Sequence, residues 1–220
     1  MQVQVKDKHY DFQKYVGKPR WISYYYQIEE AVNLKKKNSD ILVIGIGDGI
    51  VIDILKKMHQ KVTTLDFDKN LNPDILGSVT ELDKLLKKKK FDCIICCQVL
   101  EHIPFSEFEK VISDLKNHTK EKLILSLPTR TISWIFKIEC TILGERHLRI
   151  PMPRFWERQF RLEKEGFGEH YWELNAPHCK TKKVKNIIKR KFTIEKNFTV
   201  LENTWHVFFI LKPKGVCNED

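Results

Sequence analysis

Between residues 40 and 128, short apolar runs alternate with segments of helical periodicity, and this alternation constrains the fold more than any other feature of the chain. Residues 40–44 form a continuous β-rich run stopped by glycine, which suits a parallel strand buried on both faces. Residues 50–59 place Val51, Ile54, Leu55 and Met58 on one helical face. The runs at 61–65, 74–79, 91–97 and 122–127 read as further strands. Residues 82–89 read as a helix, and Ser106-Glu107-Phe108-Glu109 as a capping box opening another to about residue 117. Strands and helices in this rhythm predict a parallel sheet covered by helices on both sides. Right-handed crossovers then bring every strand's carboxyl end to one edge, where ligands bind at the switch point.

Outside this stretch, residues 23–36 read as a helix. Residues 131–143 are apolar and of helical length, so a helical insert is expected after the fifth strand. Residues 144–178 look irregular and aromatic-rich. Residues 180–191 predict a basic amphipathic helix, with Val184, Ile187 and Ile188 on its apolar face. Residues 191–201 and 204–211 predict two strands joined as a hairpin.

Glycines 45, 47 and 49 follow the first strand and precede a helix, where missing Cβ atoms permit a tight turn and close approach of a ligand. Asp66 ends the second strand, 17 residues beyond Gly49. An acid there can accept both hydroxyls of a ribose. The dinucleotide fingerprint requires a third glycine where this chain has Ile50, and Asp48 at the helix entrance repels a pyrophosphate. A cofactor with adenosine and no phosphate fits better, such as S-adenosylmethionine.

The charge balance, 39 basic against 29 acidic residues, raises the question of nucleic acid. Only 8 of the basic residues are Arg and 31 are Lys, a composition closer to solvated helix faces than to Arg-based phosphate readers. A cytoplasmic protein is expected, since no apolar run reaches membrane-spanning length and residues 1–12 have no signal-peptide core. Cys93 and Cys96 form a C-x-x-C, but inside an apolar strand and with no second pair. Buried strand residues are expected there, His178-Cys179 is a weak pair, and no metal site is assigned.

Three segments carry a family resemblance: residues 41–49 (ILVIGIGDG), 64–68 (TLDFD) and 91–104 (FDCIICCQVLEHIP), the last being the most specific. Over roughly residues 20–212 the chain resembles class I S-adenosylmethionine-dependent methyltransferases of the type 11 kind. The resemblance implies an α/β, Rossmann-like, doubly wound, mostly parallel seven-stranded sheet with an antiparallel C-terminal hairpin. It implies one domain over 1–220, with an N-terminal helical lid (1–39) and a substrate-side insert (129–179). By the same resemblance Gly45, Ile46, Gly47 and Gly49 pass beneath the methionine part of the cofactor. Asp66 holds the ribose, Phe67 borders the adenine, and Gln98 lies near the methionine portion. Ser78 and Val79 occupy the adenine side, and Tyr24 reaches the cofactor from the lid. Two positions depart from the pattern: Val43 stands where the family usually has an acid, and Ser78 where it often has Asp.

Acceptor-side candidates follow from the loops at the same sheet edge. His102 is expected to act as base or to position the acceptor, against the alternative of a helix-start histidine bonded to backbone. Glu101 orients it or braces the loop. Glu169, His170, Tyr171, Trp172 and Glu173 form a second cluster, with His170 the other candidate base. The acceptor is expected to be a small molecule. The alternatives are a nucleic-acid methyltransferase working through helix 180–191, or a binding protein without catalysis.

Overall fold

The computed structural model describes residues 16–131, 133–142, 144–151, 170–176 and 179–215. Nine strands and five α-helices follow one another in these segments: α1 (Lys18–Val32), β1 (Asp40–Ile44), α2 (Ile50–Lys57), β2 (Lys61–Asp66), β3 (Ile75–Leu76), α3 (Leu82–Leu86), β4 (Phe91–Cys97), α4 (Phe108–His118), β5 (Thr119–Pro128), β6 (Ser133–Cys140), β7 (Gly144–Pro151), α5 (Thr181–Lys191), β8 (Phe192–Thr199) and β9 (His206–Pro213). Seven strands form one sheet in the order β3-β2-β1-β4-β5-β9-β8. Contacts from β3 through β5 are parallel, and β9 runs antiparallel to both β5 and β8. The sheet and its antiparallel end are those expected from the sequence.

Strand β1 shows why a continuous apolar run was needed. Leu42 and Ile44 point into the layer that packs on α3, α4 and α5. Ile41 and Val43 point to the layer under α1 and α2. All four are at most 4% exposed. Each fully buried side chain of this size contributes about 1.5–3 kcal/mol through removal of apolar surface from water. Strand β4 alternates likewise, sending Ile94 and Cys96 to one layer and Cys93 and Ile95 to the other. Burial pushes the Cys93 and Cys96 thiols up and keeps them inert, as expected of strand residues.

Because β1 lies between β2 and β4, the chain winds outward in both directions from it. The loops leaving β1, β2 and β4 therefore meet over one crevice.

Two expectations are corrected. The segment after β5 is not helical: β6 and β7 pair antiparallel as a separate two-stranded sheet, from Ser133 opposite Pro151 to Cys140 opposite Gly144. Thr131, Ile135, Ile138 and Thr141 are β-branched and alternate with or flank Trp134 and Phe136, a composition that favours extended backbone. Length and apolarity alone resembled a helix, because the pairing strand lay in a stretch read as irregular. Second, no side-chain cap forms at the start of α4; a 3-10 turn over Phe105–Glu107 leads into it instead. Among the described residues no helix is long and apolar enough to cross a membrane.

Candidate functional site

A cavity of about 410 Å³ opens at the carboxyl edge of β1, β2 and β4. Its walls include Gly45, Ile46, Gly47, Asp66, Phe67, Ser78, Val79, Gln98, Tyr24 and His102, all singled out from the sequence. Gly49 is absent from the wall and instead starts α2 in a left-handed conformation. Gly45 and Gly47 also have positive φ, at 83° and 56°. A Cβ on Gly45 would lie 2.6 Å from Val99 Cγ2, whereas one on Gly47 would meet nothing within 4 Å. The first glycine is thus required by packing. The second leaves space for a ligand to lie against the backbone.

Asp66 locks this loop. One carboxylate oxygen accepts from Ile46 N at 2.8 Å and the other from Asp68 N at 2.9 Å. Each oxygen keeps a further lone pair, so the side chain can accept ribose hydroxyls while holding the glycine turn. Asp48 also lines the cavity, and it accepts from Tyr24 Oη and from Ile50 N, which ties the start of α2 to α1. Gln98 has a left-handed backbone and donates through its main chain and side chain to Ser126. Ser78 caps the 3-10 turn after β3 by accepting from Thr80 N. Val43 lines the wall as an apolar residue. A pocket of adenosine-compatible volume, a glycine floor and a carboxylate fixed at the ribose position together fit S-adenosylmethionine.

Beside His102 a second group of residues converges. Ligand-capable atoms of Glu101, His102 and His170 all lie within 4.8 Å of one another. The two imidazoles meet edge to face, 5.0 Å between centroids. Tyr171 N donates to Glu101 O at 2.8 Å, which carries His170 to the β4 loop. His170 Nδ1 lies 2.8 Å from Glu173 Oε1, and the other Glu173 oxygen is 3.5 Å from Arg130 Nε. Glu101 is fully buried, and neither carboxyl oxygen has a hydrogen-bond partner among the described residues. Burial pushes its carboxyl up to about 7, against the opposing influence of His170. Trp172 is set apart from this group. It is 3% exposed, donates its indole N–H to Ile103 O, and packs edge-on to Phe105 and Phe108. It braces the loop from inside the core, away from the cavity. Glu169 and His178 lie outside the described residues.

Arg20, Gln27 and His206 also line the cavity, and sequence reasoning missed them. His206 reaches it because β9 pairs with β5 in a register that sets it opposite Pro128. Its Nδ1 lies 3.0 Å from Ser23 Oγ. Burial, aided by the nearby charges of Arg20 and His170, pulls the imidazole down from 6.5 to about 4. A depressed histidine contributes stability fully present above its unfolded pKa and lost as pH falls through the folded one. Wild type is therefore expected to lose up to roughly 3 kcal/mol relative to His206→Gln between pH 7 and pH 4. Urea unfolding of both proteins at several pH values measures this, and a pH-independent difference would refute it.

A protein-family profile described as a methyltransferase domain matches residues 21–187. No curated protein sequence matches the chain. Solved structures do. Magnesium protoporphyrin IX methyltransferase from Synechocystis PCC 6803, with S-adenosylhomocysteine bound, aligns with a TM-score of 0.62 at 16% identity, covering 97% of this chain and 90% of that one. An S-adenosylmethionine-dependent methyltransferase from Clostridium acetobutylicum aligns at 0.58 and 12% identity, covering 94% and 96%. The 1,6-didemethyltoxoflavin-N1-methyltransferase of Burkholderia thailandensis aligns at 0.55 and 9%, covering 94% and 84%. At these identities the similarity is one of fold.

Proposed function

We propose that this chain, which belongs to the methyltransferase-domain family, transfers the methyl group of S-adenosylmethionine to a small-molecule acceptor placed beside His102. The observation that carries the reading is the single cavity wall that joins the glycine turn, Asp66 and His102. Two proteins of similar fold are named for small acceptors, a magnesium porphyrin and didemethyltoxoflavin, which supports the acceptor class.

The cofactor supplies an activated methyl on a sulfonium, and the protein's task is placement. Asp66 accepts the ribose hydroxyls, Phe67 and Val79 flank the adenine, and Gly45 to Gly47 support the methionine portion. Arg20 lies on the wall as the counter-charge for the amino-acid carboxylate. Helix α1 contributes Tyr24, held by Asp48, and works as the lid. Of the proposed substrate-side insert, Arg130, His170 and Glu173 form the acceptor side. His102 is the candidate base or positioning group, with His170 behind it.

The test is calorimetry with the whole chain. S-adenosylmethionine and S-adenosylhomocysteine should bind, and NAD should not. Asp66→Ala removes both the ribose acceptor and the clamp on Ile46 N, and should weaken binding by about 1.5–3 kcal/mol, as for hydrogen bonds to a charged group. Tighter binding of NAD than of S-adenosylmethionine would defeat the reading.

A further inference from the structure

Glu101 poses a problem that the cofactor cavity does not solve. A carboxyl with both oxygens buried and without a partner among the described residues is costly to hold in a folded protein. Its oxygens nevertheless converge with one nitrogen from each of His102 and His170. We infer that Glu101, His102 and His170 form a three-ligand site for a divalent transition cation, at the acceptor side of the cavity.

The donor set, two imidazoles and one carboxylate, is borderline in softness and matches zinc, iron(II) and manganese(II) better than magnesium or calcium. A tetrahedral shell spaces its donors roughly 3.3 Å apart at ordinary zinc–nitrogen lengths. Donors already within 4.8 Å reach that spacing through small rotations of the side chains. The outer groups suit the role as well. With Nδ1 of His170 donating to Glu173, loss of the Nε2 proton leaves that nitrogen's lone pair for a cation. Glu173 is itself held by Arg130. A carboxylate behind a ligating histidine fixes its tautomer and raises its basicity. Two adjacent residues of one loop and a third from a distant segment, drawn in by the Tyr171-to-Glu101 bond, complete the arrangement. Because three protein donors leave a coordination position open, the cation can hold an acceptor's oxygen or nitrogen next to His102. That last role rests on the methyltransferase reading; the metal site does not.

The experiment uses the untagged full chain, stripped with chelator and titrated with Co²⁺ and then Zn²⁺. One equivalent of Co²⁺ should bind and give visible d–d absorption that Zn²⁺ displaces. Glu101→Gln and His170→Ala should abolish the spectrum, and Glu173→Gln should weaken binding roughly ten- to hundred-fold. Thermal unfolding of each variant identifies any that fail to fold, and His102→Ala supplies a further ligand deletion. His59→Asn, in the exposed turn after α2, should leave the spectrum unchanged. Absence of a spectrum in wild type, or its survival in the folded ligand variants, would overturn the site. Calorimetry with S-adenosylmethionine runs alongside: cofactor binding without cobalt binding overturns only the metal, whereas cobalt binding without cofactor binding overturns only the cofactor reading.

Discussion

Replacing Glu30 by alanine should destabilise the protein by about 3–5 kcal/mol, the range for removing one partner of a buried ion pair. Glu30 on α1 is 5% exposed and Lys122 on β5 is 8% exposed. Their contact is 3.2 Å, and Lys122 Nζ also donates to Glu30 O and Asn33 O. Burial opposes the Glu30 charge, but hydrogen bonds from Lys196 and Lys122 outweigh it and hold the carboxyl below its ordinary range. A lowered carboxyl contributes stability above its unfolded pKa and loses it as pH falls through the folded value. The difference between wild type and Glu30→Ala should therefore shrink in acid. Lys196 lies mostly in solvent at 61% side-chain exposure, so solvent screens much of what its 2.6 Å contact adds to stability. Chemical denaturation measures the loss. Glu30→Leu combined with Lys122→Met should recover most of it, since two apolar residues leave no uncompensated charge. A loss below 1 kcal/mol for the single variant would show that Lys122 is satisfied by its two carbonyls alone.

This pair lies outside sequence reach for the same reason that His206 and Arg20 do. Lys122 and Glu30 are 92 positions apart, and only the docking of α1 across β5 brings them together. The glycine turn and Asp66 were legible because their chemistry is local: a strand, a turn with no room for Cβ, a helix, and an acid at the next strand's end. The alternation of β1 and β4 was legible because burial on both faces leaves no polar position to hide. The β6–β7 hairpin was not, since period and length compete in a short apolar segment, and the decisive partner strand begins at Gly144, in a stretch that reads as irregular. Glu101 shows a subtler limit. Its neighbourhood to His102 is written in the sequence, but its complete burial, with no partner for its oxygens among the described residues, arises only when residues 170–173 fold back onto the β4 loop. Trp172 erred the opposite way. An aromatic two residues from His170 looked like part of an acceptor wall, but the chain bends at Tyr171 and carries the indole into the core, against Phe105 and Phe108.

The largest functional effect is expected at His102. His102 lines the cofactor cavity and its ring meets that of His170 at 5.0 Å, so the proposed reaction sets it between the methyl donor and the acceptor-side cluster. In either proposed role, as proton acceptor or as ligand to a cation that holds the acceptor, it serves the acceptor side and leaves the ribose and its Asp66 anchor alone. His102→Ala should therefore lower kcat by roughly 10²–10⁴-fold while the affinity for S-adenosylmethionine stays close to wild type. Fractions of a small-molecule extract, assayed for methyl transfer from labelled cofactor, supply the acceptor for this measurement. A general base and a ligand separate by rescue. Added imidazole restores turnover to a variant lacking a base, whereas a lost ligand responds to raised metal concentration. His170→Ala should reduce kcat less than His102→Ala if it acts through the pair, and equally if both hold one cation. Full kcat in both variants would remove proton transfer and metal together, leaving placement of the two reactants in line as the whole of the catalysis.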